Sequence, residues 1–166
     1  SVLSVRCADY NVFRSNLFYN TRQKIAEVYD CGADTSAVPN SFDSTSHNVF
    51  ENNIFARADM DTDDTDTTSN ANGIQYGGQE GIIRRNIFTR CNVGLGMQVY
   101  GDESLHNENN RVYHNVFHDN PGAGIAIRAG STNNKSCRSV FRRRPCGAMA
   151  RGSRRAVARS CSTRRR

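Results

Sequence analysis

Val112-Tyr113-His114-Asn115-Val116-Phe117 is one copy of a phrase that the chain repeats, and its reading decides the fold. The phrase runs apolar residue, two polar residues, Asn, aliphatic residue, Phe. It stands also at Phe13-Arg14-Ser15-Asn16-Leu17-Phe18, Phe50-Glu51-Asn52-Asn53-Ile54-Phe55 and Ile83-Arg84-Arg85-Asn86-Ile87-Phe88. All four copies agree at the Asn and at the Phe, which chance explains poorly. Between them lies a second phrase, in which apolar residues stand two apart. Its members are Leu3 to Arg6, Ala26 to Tyr29, Ile74 to Gly77, Met97 to Tyr100 and Ile125 to Arg128. Such alternation marks a short strand with one buried face.

Val5 to Val28 is 23 residues, and Tyr76 to Val99 is again 23. The longer step from Val28 to Tyr76 holds two polar stretches, 30–48 and 58–72, that read as insertions. Units of this length, made of short strands and turns, predict a solenoid in which each coil stacks on the one before. Equivalent residues then line up about 4.8 Å apart along the axis. Leu3, Ala26, Ile74, Met97 and Ile125, with Val5, Val28, Tyr76, Val99 and Ile127, are expected to fill the interior. Phe18, Phe55, Phe88 and Phe117 form a second interior stack. Asn16, Asn53, Asn86 and Asn115 fall at one turn, where stacked amides can bond one another. These Asn residues are read as structural.

The run Val112-x-x-Asn115-x-Phe117-x-x-Asn120, followed by Gly124-Ile125-x-Ile127, resembles the repeats of right-handed parallel β-helix proteins of the pectate-lyase-like superfamily. The resemblance covers about residues 1–130. It implies an all-β, right-handed parallel β-helix of about five coils, a piece of a longer one. It also implies an exported protein (secreted, periplasmic or at the cell surface) that acts on or binds an acidic polysaccharide. A noncatalytic surface or adhesion scaffold is the competing class, because such a fold carries many functions.

The outward positions of the alternating strands read Ser4, Glu27, Gln75, Gln98, Ala126 in one column and Arg6, Tyr29, Gly77, Tyr100, Arg128 in the next. Amides and carboxylates pair with sugar hydroxyls, and flat rings lie against pyranose faces. Glu27, Tyr29, Gln75, Gln98 and Tyr100 are therefore the candidate substrate-binding residues; an ordinary solvated strand face is the alternative. The polar stretches 30–48, 58–72 and 101–110 adjoin this strip as cleft-forming loops do.

Asp59, Asp61, Asp63, Asp64 and Asp66 crowd five carboxylates into eight residues. Oxygen ligands at alternate positions suit calcium. The spacing opens like an EF-hand loop, but Asp64 stands where Gly is required and Asn70 where the closing Glu belongs. A solvated acidic loop is the alternative to a calcium site. Many lyases of the superfamily use calcium on a uronate carboxylate and an Arg or Lys as base. Arg128 is the outward Arg nearest the candidate cleft and the candidate catalytic residue, whereas Arg84 and Arg85 lie on a different strand. A glycoside hydrolase would need acids flanking the bond; Asp63-Asp64 is an adjacent pair, but the accompanying His and Arg-Lys phrases are missing. His114 and His118 suit zinc only on a helix. Cys7 and Cys31, 24 apart, would stack on adjacent coils as a disulfide or as two thiols. Cys91 takes the place of Asn120 in the repeat and is expected to point inward.

The net charge of +6 divides sharply. Residues 136–166 hold 11 Arg and no acid, while residues 1–135 carry a net −5 and all 18 Asn. The basic pI is accordingly no argument for nucleic-acid binding by the repeat, and nucleic acid is not the expected partner. The domains read as a β-helix fragment, 1–135, and an Arg-rich tail, 136–166, that is disordered or translated out of frame. The longest apolar runs are too short for a membrane span or a signal-peptide core. The start at Ser1 without Met reads as that of a fragment.

Overall fold

The computed structural model describes residues 1–29, 45–58, 71–98, 107–128 and 130–142. All regular structure among them is strand. The first circuit contributes β1 (Leu3–Arg6), β2 (Val12–Arg14) and β3 (Leu17–Thr21), and the second β4 (Ala26–Tyr29), β5 (Val49–Glu51) and β6 (Ile54–Ala58). The third is β7 (Asn72–Tyr76), β8 (Ile82–Arg84) and β9 (Ile87–Cys91). The fourth is β10 (Val93–Met97), β11 (Asn107–Glu108), β12 (Arg111–Tyr113) and β13 (Val116–His118). Then come β14 (Ala123–Ile127), β15 (Ser131–Thr132), β16 (Lys135–Cys137) and β17 (Val140–Arg142).

Each circuit feeds one strand into each of three parallel sheets. Sheet A stacks β1-β4-β7-β10-β14, sheet B β2-β5-β8-β12-β16 and sheet C β3-β6-β9-β13-β17, with a small pair β11-β15 beside them. The stacked arrangement is consistent with a parallel β-helix.

The turns that bend the chain from sheet to sheet obey a five-residue rule. Left-handed backbone occurs at Tyr10, Ser15 and Asn20, at His47, Asn52 and Arg57, at Glu80, Arg85 and Arg90, and at Asn109, His114 and Asp119. Asn133 and Arg138 continue the series. Each costs on the order of 1–2 kcal/mol for a residue with a Cβ. At most of these corners the residue that follows is an Asn whose side-chain amide bonds a neighbouring strand, while Ala58, Gly81 and Cys91 hold the same place without an amide. Asn53 donates from its backbone N (2.9 Å) and Nδ2 (3.1 Å) to Asn86 Oδ1, and Asn86 does the same to Asn115 Oδ1. Asn16 bonds Asn53 in the same way. Asn53, Asn86 and Asn115 also donate to the carbonyls of Phe13, Phe50 and Ile83. The expected Asn ladder is present, and Ser139 Oγ extends it by accepting from Asn115 N.

A second ladder precedes sheet B. Asn11 bonds Asn48, and Asn110 bonds Asn134. Gly81 takes the middle place, donating its N–H to Asn110 Oδ1 at 2.7 Å. Here the Tyr76 phenol fills the room a side chain would need, since a Cβ on Gly81 would lie 1.9 Å from Tyr76 Oη.

Beside the ladders lies the hydrophobic core. Phe18, Phe55, Phe88, Phe117 and Phe141 stack with centroids 4.9–5.1 Å apart and planes within 15°. Burying each inner ring contributes about 2–3 kcal/mol. Leu3, Ala26, Ile74 and Ile125 share one inward column, as expected, but its fourth member is Leu95. Met97 takes the place expected of Val99 beside Val28, Tyr76 and Ile127. The strand read as 97–100 is thus β10, two residues earlier. Leu95 and Met97 are the side chains that reach the core, and Gly94 clears room for the Phe117 ring. β16 and β17 pair with β12 and β13, so stacked strands run past Lys135 to Arg142. Cys91 is buried, as its place in the repeat implies. Cys7 is disulfide-bonded, and Cys31 lies outside the described residues.

Candidate functional site

The outward face of sheet A carries the candidate residues. Ser4, Glu27 and Gln75 follow one another on β1, β4 and β7, where the next position is Gly96 rather than Gln98. Gln98 follows Met97 and donates its N–H to Tyr76 O, while Arg128 donates its own to Met97 O. The second column therefore reads Arg6, Tyr29, Gly77, Gln98, Arg128. The two-residue shift of β10 moves Gln98 out of line with Gln75 and into line with Tyr29 and Arg128. Tyr100 and the carboxylates Asp59, Asp61, Asp63, Asp64 and Asp66 lie outside the described residues. Among the described residues no group of three His, Cys, Asp or Glu side chains is placed to hold a metal.

Chemistry concentrates at the β1–β4 end. Glu27, only 8% exposed, accepts from Ser4 Oγ at 3.0 Å and pairs with Arg6 Nη2 at 3.4 Å and Lys24 Nζ at 3.1 Å. Lys24 also donates to the Tyr29 hydroxyl. The Arg6 guanidinium and Lys24 ammonium both lie about 5 Å from the Tyr29 ring centroid, at 5.0 and 5.1 Å, within cation–π range. Burial, the largest influence on Glu27, works to raise its pKa. Hydrogen bonds from Lys24 and Ser4, with the charges of Lys24 and Arg6, outweigh it and hold the carboxyl below its usual range. Burial likewise works to lower the Lys24 pKa, and the bonds to Tyr29 and Glu27 reverse it, so Lys24 is raised. The cluster is a fixed ion set with one positive charge in excess.

Further along the face, Gln75 is 1% exposed and its Oε1 has no hydrogen-bond partner among the described residues. Gln98 is buried and Arg128 exposed. The strip thus brings Glu27, Tyr29, Gln75, Gln98 and Arg128 onto one face of successive strands. It adds Lys24, which the alternation did not single out because Lys24 precedes the strand. The signal was Lys24-x-x-Glu27 at the mouth of a strand, in a chain with two Lys.

His114 rests edge-on against Tyr113, and His118 lies 3.9 Å from Asp119. No helix of the described residues is long and apolar enough to cross a membrane. No family model, curated protein or solved structure matches the chain. Fold and site geometry alone define the class: an all-β protein of stacked parallel sheets with a polar, cation-bearing outer face.

Proposed function

We propose that this chain is a right-handed parallel β-helix of the pectate-lyase-like kind that binds an acidic polysaccharide along the outer face of sheet A. The Arg6–Lys24–Glu27–Tyr29 cluster carries the reading. Cations pinned beside an aromatic ring form a seat for a uronate: the charges meet the carboxylate and the ring meets the sugar face. Exposed Arg128 extends the track on a later strand, whereas Gln75 and Gln98 are buried and floor the track rather than meeting the sugar. In the catalytic version of the proposal, calcium held by the Asp59–Asp66 segment would neutralise the uronate carboxylate, and Arg128 would take the adjacent proton. Export follows from the same resemblance.

One observation favours binding without turnover, the scaffold alternative. Glu27, Lys24 and Tyr29 are bonded to one another in a closed set, an arrangement that suits holding a ligand in place. Incubation with polygalacturonate or alginate, with and without calcium, separates the versions. Calcium-dependent gain of unsaturated-sugar absorbance, abolished in Arg128→Ala, supports the lyase. Binding without that gain, weakened in Lys24→Ala, supports the scaffold. Absence of binding to either polymer overturns the polysaccharide reading and leaves a scaffold that takes no glycan.

A further inference from the structure

The outer face of sheet B gathers positive charge in a chain whose first 135 residues are net acidic. Arg14, Glu51, Arg84 and Tyr113 stand in one outward column, and Arg111 and Lys135 are neighbours in the other. Arg85 and Arg138 occupy the left-handed corner beside them. Glu51 is the one acid on these strands, and it is buried. It meets Arg14 at 3.0 Å, Arg84 at 3.1 Å and Arg85 at 3.5 Å, so three guanidinium groups share a single carboxylate. Arg84 is fixed further by donating to the Tyr113 hydroxyl at 3.1 Å. Arg111, Lys135 and Arg138 are exposed and have no ion pair among the described residues.

Like charges on adjacent strands repel. Arg111 and Lys135, about 4.8 Å apart at their backbones, tolerate this only because water screens them. An array of this kind releases counterions to a polyanion laid across the coils, along the solenoid axis. Recognition of single-stranded nucleic acid asks for a series of rings on which bases stack. Among the described residues this surface offers Tyr113, whose hydroxyl is engaged by Arg84, and the adjoining ring of His114 at the corner between Arg85 and Arg138, one touching pair rather than a series along the strands.

We infer that the outer face of sheet B is a second binding surface for an acidic polysaccharide, with Arg84, Arg85, Arg111, Lys135 and Arg138 as its anion contacts. The class of ligand rests on the proposed function, whereas the surface does not. Calorimetric titration with polygalacturonate should be run on the wild type, on Arg111→Glu/Lys135→Glu, and on Lys24→Ala/Arg128→Ala, with melting curves to certify folding. Polymer affinity in Arg111→Glu/Lys135→Glu is expected to fall about tenfold or more, with a shallower salt dependence. Wild-type affinity in that variant, with loss only in Lys24→Ala/Arg128→Ala, overturns this inference and leaves the sheet A reading standing. The reverse pattern supports the inference and overturns the sheet A reading. Titration of single-stranded DNA completes the test, since binding to DNA and not to polygalacturonate overturns the ligand class for both faces. Should the charge-reversed pair fail to fold, Arg111→Gln/Lys135→Gln carries the same comparison.

Discussion

Gly94 on β10 and Phe117 on β13 compete for one volume. A Cβ on Gly94 would stand 2.6 Å from Phe117 Cδ1 and 2.7 Å from the Gly124 carbonyl oxygen. Gly73 meets Phe88 at 2.8 Å and Gly124 meets Phe141 at 2.5 Å in the same way, so a glycine file on sheet A lies against the phenylalanine file on sheet C. The rings stack face to face only while that room is kept.

Gly94→Ala is accordingly expected to cost about 1–3 kcal/mol, the range of an overpacked core. Gly96→Ala is the control, because its Cβ would meet nothing nearer than 3.4 Å, the side-chain amide of Asn72. Denaturant melts of the two variants should differ by more than the propensity effect alone. Equal midpoints would mean that the Phe file shifts freely.

The Asn ladder gives a graded expectation. Asn86→Ala removes the acceptor of two donors on Asn53 and the donor to Phe50 O, all within the interior. Unmet buried groups cost roughly 1–3 kcal/mol each, so a loss of about 3 kcal/mol or more follows. Asn16→Ala, at the exposed end, loses the side-chain bond to Asn53 and should cost about 1 kcal/mol. Urea titration of both variants checks the ranking.

Tyr76 is the reverse case. Its ring packs edge-on to Phe50 with centroids 6.2 Å apart, while its hydroxyl is buried without a hydrogen-bond partner among the described residues, and burial holds its pKa well above the usual phenol value. Tyr76→Phe keeps the ring and removes the unmet group. It is expected to leave stability unchanged or raise it by about 1 kcal/mol. Thermal unfolding that shows a clear loss would reveal a role for the hydroxyl.

What the sequence made legible follows from stacking itself. Phe55 above Phe88 and Asn53 above Asn86 recur because each needs the same partner in the same place, and repetition is readable without coordinates. The second ladder was hidden where Gly81 yields its place to the Tyr76 phenol, a substitution made by a residue five positions away. The register of β10 was hidden by Gly94 and Gly96, which break the visible alternation and let Met97–Tyr100 pose as the strand. Arg-rich composition masked Lys135–Cys137 and Val140–Arg142, whose strand character comes from pairing with the coil below. On the candidate site, Glu27 and Tyr29 were visible as outward residues. Lys24 was not, since only the path of the chain before β4 brings its ammonium back over them.

That ammonium sets a pH window. The Glu27 carboxyl is held below its unfolded value, so its stabilisation is complete above about pH 4.3 and is lost as pH falls through the lower folded pKa. Lys24 is raised, so its part is complete below about pH 10.4 and is lost as pH rises through the higher folded pKa. Between those limits the pair is intact. Glu27→Gln is therefore expected to cost about 1–2 kcal/mol at neutral pH, leaving Lys24 and Arg6 without their shared carboxylate. The gap between variant and wild type should close as the pH is taken below the folded carboxyl pKa, where the wild-type carboxyl is neutral as well. Urea midpoints measured across the acid range check this. A gap that stayed constant into strong acid would show that Glu27 contributes by packing rather than by its charge.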